Sequence, residues 1–345
     1  MAVSVGLVGF GLAGHTLHAP LIAHAGMNIT GVVTRQVQKA QEALPSARVV
    51  ADLNELLQIE PLDLVVIATP SGVHPAQAIA ALRSGKHVVV DKPLALTTRE
   101  ADRILSVAEE SARKLTVFQN RRWDSDFLTL RRVLADGALG ELNSYEARWD
   151  RFRPQVVDRW REHPEEGGGV LYDLGPHLVD QALCLFGMPD WLQADVFAQR
   201  VGAQVDDGFE IRLGMGPLRV TLGARSVVPE HSMRYRLHGS GGSLMKAGLD
   251  PQEAQLRLGM SPLDPLFGIE PASQCAKLFS AETGATRDVP SERGDWLGFY
   301  RRVRMSIEGG DPLPVLGSEV RRVVQVIEAA RRSSEEGCRV DFSRR

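Results

Sequence analysis

"GLVGFGLAGH", residues 6–15, sets Gly9, Gly11 and Gly14 in a G-x-G-x-x-G directly after an apolar, β-branched run. Strand, glycine turn and helix in that order open a dinucleotide-binding βαβ unit. Each glycine has its own task there. Gly9 permits the tight turn, Gly11 lets a pyrophosphate approach the backbone, and Gly14 lets the helix close onto the sheet. Phe10 and Leu12 fall in the same cofactor-binding turn. The helix start supplies N–H donors and positive dipole to the phosphates.

Working outward, the first 120 residues alternate two kinds of segment. Short β-branched runs occur at "VSVGLVG", "ITGVVT", "LDLVVIAT", "KHVVVDK" and "LTVFQN". Ala- and Leu-rich stretches lie between them, such as 76–85 and 99–113. This rhythm predicts right-handed crossovers and a parallel sheet with helices on both faces. Its strands lack polar alternation, as strands covered on both faces do. After about residue 120 the pattern changes. "ELNSYEARWDRFRP" alternates apolar and charged residues, and "FEIRLGMGPLRVTLGARS" and "MRYRLHGSGGSLMK" are broken by glycine turns. These predict hairpins in an open, mainly antiparallel sheet. The apolar stripe of 318–337 predicts a terminal helix stopped by glycine. The expected organisation is a Rossmann domain over 1–120 and an α+β substrate-binding domain over 121–345.

Bulk properties narrow the function. At 345 residues the chain suits two domains, and 43% hydrophobic with 24% charged residues is a globular mix. A formal net charge of −3 offers no basic footprint for nucleic acid. No apolar run approaches the ~20 residues of a membrane helix. Cys184, Cys275 and Cys338 are scattered and odd in number, with no metal-ligand spacing. Together with the lack of a signal-peptide pattern, they predict free thiols, no metal and a cytoplasmic location.

The second strand speaks to the cofactor. An NAD site usually carries an acid ~20 residues past the glycines, on the ribose 2′-OH. "GVVTRQ" (31–36) offers Thr34 and Arg35 instead, and no acid follows until Glu42. A guanidinium can grip a 2′-phosphate, which a carboxylate would repel. The reading is NADP(H) ahead of NAD(H).

"HVVVDKPLA" (87–95) ends a core strand on a lysine followed by proline. Ligands of doubly wound sheets bind beyond the C-terminal strand ends, so Lys92 should face the cofactor crevice. Pro93 narrows its conformations, and a cis Lys92–Pro93 bond is open. Taken alone, such a lysine is a surface charge. Further on, 165–187 is a glycine loop running into a helix that sets Asp173 and His177 at i and i+4, on one face. An imidazole suits proton transfer near neutrality, and an adjacent carboxylate can orient it.

With these residues assembled, the chain resembles the Gfo/Idh/MocA oxidoreductases (glucose–fructose oxidoreductase, inositol dehydrogenase and rhizopine-catabolism enzymes). The likeness runs from the glycine turn through "ATPSGVHPAQA", "DKP" and the Asp173–His177 helix to the terminal helix. Asp91 departs from the family's usual Glu-Lys-Pro. "RWDRFRP…VVDRWRE…GGGVLYDLGPHLVDQAL" looks especially like the NADPH-linked scyllo-inositol dehydrogenase branch. The resemblance implies a catalytic group of Lys92, Asp173 and His177, acting on a sugar or cyclitol, with either Lys92 or His177 giving up the proton. It implies cofactor contacts from Thr69, Pro70, His74, Lys92 and Asn120, and from Trp160 and Arg161. Lys92, Arg153, Trp160, Asp173 and His177 would meet a polyhydroxylated substrate. It further implies a homo-oligomer, a dimer or dimer of dimers, through the open sheet.

Other readings stay open at this point. A relative with different chemistry, such as an NAD-dependent glycosidase or an imine or aldose reductase, would share the nucleotide domain. A non-catalytic NADP sensor would be expected to lose Lys92 or His177, and both are present. A SAM-dependent methyltransferase would prefer an acid where Thr34 and Arg35 stand.

Overall fold

The computed structural model describes residues 2–164, 167–230 and 233–342. Its contacts divide the chain into two units, taken here in turn.

The first unit holds a six-stranded sheet of β1 (Ser4–Val8), β2 (Asn28–Val33), β3 (Arg48–Val50), β4 (Leu64–Ile67), β5 (His87–Val90) and β6 (Leu115–Val117). The order is β3-β2-β1-β4-β5-β6, and every neighbouring pair is parallel. Strand order reverses between β1 and β4, the point where such sheets bind ligands. Every residue of β1 and β4 is buried, which explains the unbroken apolar runs. Val88, Val89 and Val90 are likewise at most 1% exposed. Each such side chain contributes roughly 2 kcal/mol by its burial. The parallel Rossmann arrangement read from the sequence is the one found.

Two later segments, which the sequence reading assigns beyond residue 120, pack with this first unit: Gln252–Phe267 and Asp295–Arg321. The reason is an aromatic cluster beside the end of β6. Phe118 stacks edge-on against Phe299 at 5.0 Å and lies 5.6 Å from the Tyr300 ring. Both belong to the helix Trp296–Gly309, and both are fully buried. Gln252 ties the pieces together, donating to the Trp123 carbonyl and accepting from the Trp296 amide.

The second unit is built on a nine-stranded sheet. Its strands are β7 (Leu142–Arg148), β8 (Trp191–Phe197), β9 (Gly208–Met215), β10 (Leu218–Arg225), β11 (Tyr235–Gly239), β12 (Gly242–Lys246), β13 (Ala276–Ser280), β14 (Thr286–Val289) and β15 (Val340–Asp341). The order is β14-β13-β12-β11-β7-β10-β9-β8-β15. All pairings are antiparallel except β7 with β10. The mainly antiparallel sheet expected from the alternating pattern is therefore present, with one parallel step. Helices Ser125–Ala135, Val170–Phe186 and the latter part of Gly317–Glu336 cover it, burying Phe127, Leu174, Leu178 and Ile327. A β-carbon on Gly175 would lie 2.8 Å from the Ile327 side-chain tip, so a larger residue there would have to displace that side chain. Outward-pointing residues carry a ladder of charges instead, with Arg148 bonded to Glu146 and Glu210, and Arg225 to Glu210.

Among the described residues no helix is long and apolar enough to cross a membrane.

Glu253 ties the returning helix Gln252–Arg257 to Arg121 and pairs along the helix with Arg257 at 2.7 Å. Burial alone would raise its carboxyl, but those two guanidiniums hold it at about 2. A depressed carboxylate stabilises the fold above its unfolded value and loses that contribution as pH falls toward 2. At pH 7 it is worth on the order of 2–3 kcal/mol. Glu253→Gln should therefore lower Tm at pH 7 and shrink the gap to wild type between pH 4.5 and about 2. A constant Tm difference across that range would refute the assignment.

Candidate active site

In the first unit the glycine turn is a cradle with one open face. Gly9 adopts φ 95°, and a β-carbon there would meet the Ala68 carbonyl oxygen at 2.5 Å. Gly14 is tighter still, with a β-carbon placed 2.0 Å from the Gly9 carbonyl oxygen. Gly11 faces open space, with nothing within 4 Å of the position its β-carbon would take. An open face at the middle glycine is the division of labour expected of a pyrophosphate site. Phe10 is buried against the edge of His15, whereas Leu12 is 45% exposed beside the open face. The chain then enters a π-helical turn, Ala13–His18, that continues into the helix Ala19–His24. The residues present thus fit a dinucleotide.

At the end of β2, Thr34 accepts the Gln36 amide at 2.9 Å, which fixes the turn. Arg35 is exposed at that turn, beyond the strand end. At the end of β4, the Thr69 hydroxyl donates to Gln77 at 2.7 Å and Pro70 leads into a short helical turn. His74, 1% exposed, sits between two carbonyls: its Nδ1 is 2.8 Å from Pro93 O and its Nε2 2.9 Å from Thr69 O. Burial lowers its affinity for a proton, against the pull of the Pro93 carbonyl. A neutral ring donates through one nitrogen at a time. His74 therefore bonds, depending on its tautomer, either the Thr69 loop or the residue that follows Lys92.

The lysine sits on a fixed backbone. The Asp91 side chain accepts the Lys92 amide at 2.9 Å, and the Lys92–Pro93 bond is cis. Asp91 also lies 3.9 Å from Nε2 of His18, whose Nδ1 is 2.6 Å from the Tyr300 hydroxyl. His18 is fully buried, and burial holds it below the usual histidine range. The sequence reading passes over His18 and Tyr300, which lie far apart in the chain and in no motif. Asn120, 4% exposed, begins the helical turn Asn120–Trp123 just past β6.

In the second unit the glycine loop delivers the helix Val170–Phe186. Glu165 and Glu166, at the start of that loop, lie outside the described residues. Gly169 precedes the helix at φ 103°, where a β-carbon would collide with Asp206 at 2.4 Å. Asp206 accepts the Leu171 amide at 2.6 Å, so a carboxylate 35 residues away in sequence caps the helix start. Arg331 pairs with its other oxygen at 3.2 Å.

Asp173 is gripped from two sides. Its Oδ2 accepts from Arg151 at 3.1 Å and its Oδ1 from Arg161 at 3.2 Å. The Arg161 guanidinium also lies 4.4 Å over the Trp160 ring. Trp160, Arg161 and Asp173, singled out separately from the sequence, are one cluster. Arg151, from the extended segment after β7, is part of it as well. His177, one turn on, is 6% exposed with its ring 5.6 Å from that of Trp149. Arg153 follows in the same extended segment, its amide donating to Ser226 O at 2.6 Å. A second buried network lies alongside. Burial would raise the Glu162 carboxyl, but hydrogen bonds from Arg200 and then Arg159 hold it below the usual range. Arg200 also pairs with Asp207 at 3.0 Å. No periodicity or spacing in the sequence marks these partners.

The first unit thus carries a nucleotide cradle with a lysine at a strand end, and the second carries an acid–imidazole helix. Comparison with known proteins supplies the family. Residues 3–119 match the NAD-binding Rossmann fold of the Gfo/Idh/MocA oxidoreductase family, and residues 131–342 match its C-terminal alpha/beta domain. The chain belongs to this family, as its motifs suggest. It is 38% identical to scyllo-inositol 2-dehydrogenase (NADP(+)) IolW of Bacillus subtilis, over 97% of this chain and 94% of that one. It is 40% identical to the oxidoreductase YdgJ of Escherichia coli, over 94% of each chain. Among solved structures, the oxidoreductase yvaA of Bacillus subtilis superposes with a TM-score of 0.96 at 37% identity, covering 99% of both chains.

The glycines give a paired prediction. Gly14→Val should lower Tm by several degrees and abolish dinucleotide binding, because the new side chain must displace backbone. Gly11→Ala should leave Tm within about 2 °C of wild type, since nothing stands in its way, yet weaken NADPH binding by roughly tenfold or more. A Gly11→Ala protein that binds NADPH normally would show that the open face is not the phosphate site.

Proposed function

We propose that the chain is an NADP(H)-dependent oxidoreductase that interconverts an alcohol and a carbonyl on a sugar, a cyclitol such as an inositol or inosose, or a related polyol. The observation that carries the cofactor choice is the exposed Arg35 beside Thr34 at the end of β2, with no acid before Glu42. A guanidinium there suits a 2′-phosphate and leaves a plain ribose without its usual carboxylate partner. The Bacillus subtilis relative, named as a scyllo-inositol 2-dehydrogenase (NADP(+)), supports both parts of the reading.

When bound, the nicotinamide supplies or accepts the hydride. The chain's own residues handle the rest. In the reducing direction, the Lys92 ammonium holds the carbonyl oxygen and stabilises the charge that develops on it. His177 is the proton-carrying imidazole, hydrogen-bonding to the substrate hydroxyl as it forms. Asp173, with both oxygens taken by Arg151 and Arg161, orients rather than donates. Arg153, Trp160 and Arg161 border the substrate, and Thr69, Pro70, His74 and Asn120 border the cofactor. Self-association would use the charged outer face of the nine-stranded sheet, and light scattering of the purified protein would report it.

The test is oxidation of NADPH, followed by absorbance, with a panel of inososes, ketoses and aldoses. Turnover with at least one polyol carbonyl is expected, and none across the panel would overturn the proposal. Lys92→Ala should lower kcat by roughly two to four orders of magnitude while NADPH affinity changes little. Unchanged turnover would remove Lys92 from the reaction. Arg35→Asp should weaken NADPH binding roughly 10- to 100-fold and NADH binding far less, as expected for one charge-assisted contact. Equal losses for both cofactors would defeat the 2′-phosphate assignment.

A further inference from the structure

The second unit contains a solvent-open cleft whose wall carries five arginines and three carboxylates. The pairing among them is uneven. Arg159 and Arg200 are balanced by Glu162 and by Asp207 behind it. Asp206 is spent on Arg331 and the helix amide of Leu171. Among the described residues, Arg151 and Arg161 share one carboxylate, Asp173. Among the described residues no carboxylate lies within ion-pair distance of Arg153. On a chain whose formal net charge is −3, this is a local concentration of positive charge facing an open cleft.

A neutral hydroxyl can accept a hydrogen bond from a guanidinium, but it relieves none of the repulsion among three of them. An oxyanion does both, and planar guanidinium forks match carboxylate and phosphate oxygens in pairs. Building on the oxidoreductase reading above, we infer that this pocket receives an anionic group, carboxylate or phosphate, carried by the polyol substrate. Arg153 is its principal ligand, because Arg151 and Arg161 already hold Asp173. Substrates are then sugar acids or sugar phosphates in preference to neutral cyclitols.

The probes are glucose, glucuronate and glucose 6-phosphate, which share a ring and differ in charge. Each is titrated into the protein saturated with NADP+, by calorimetry at low salt. At least one anion should bind about tenfold or more tightly than glucose, with affinity falling as salt rises. Whichever of the two binds better identifies the group as carboxylate or phosphate. Arg153→Gln should erase the preference, and Arg153→Lys, which keeps the charge, should retain part of it. Because Arg153 is exposed, both variants should keep the wild-type Tm. Equal binding of glucose and both anions, or a preference that survives Arg153→Gln, would overturn the inference. The oxidoreductase reading is judged separately by NADPH oxidation. Polyol ketones turned over without regard to charge would leave that reading standing and remove the anion pocket. Arg153-dependent anion binding without turnover of any carbonyl compound would do the reverse.

Discussion

The seat of Gly14 against the carbonyl oxygen of Gly9 is the tightest of the three glycine positions in the nucleotide turn. At 2.0 Å there is no room for a β-carbon, so the first helix must begin pressed onto the end of β1. That closeness places the helix start beside the one glycine of the three that faces open space. The neighbouring Ala68 carbonyl closes the other side of Gly9, which brings the ends of β1 and β4 together where the strand order reverses. The shape of the glycine cradle thus follows from backbone packing.

A comparable economy governs the second unit. Asp173 could be taken for a proton carrier, since it sits one helical turn from His177. Its two guanidinium partners make it an organiser instead, fixing Arg151 and Arg161 and, through Arg161, the Trp160 ring. Asp206 does similar work at the helix start, taking the place a Gly169 side chain would need and satisfying an amide there. Two aspartates thus set the geometry of the helix that presents His177. On the first unit, Asp91 fixes the backbone at Lys92 by accepting its amide.

How much of this is legible in the sequence follows from how local each interaction is. The strands of the parallel sheet and the glycine turn are local, and so are Lys92 before its proline and the i, i+4 pair of Asp173 and His177. All can be read from spacing. The helix Trp296–Gly309 is amphipathic, but periodicity does not say which apolar surface it will cover, and it packs on Phe118 of the first unit. The guanidiniums on Asp173 come from an irregular segment after β7, where no period reports direction. The Asp206 cap and the buried His18–Tyr300 pair join residues distant in the chain, with nothing nearby to announce them. Family membership bridges some of that gap, because Trp160 and Arg161 could be singled out only through resemblance.

The central claim is that this fold binds a dinucleotide carrying a 2′-phosphate. Titration of the purified protein with NADPH and with NADH, following its tryptophan fluorescence, tests it most directly. The account predicts saturable binding of NADPH at least about tenfold tighter than that of NADH, as one charge-assisted phosphate contact would give. Equal affinity, or tighter binding of NADH, would contradict the role given to Thr34 and Arg35. Binding of neither would contradict the reading of the glycine cradle itself.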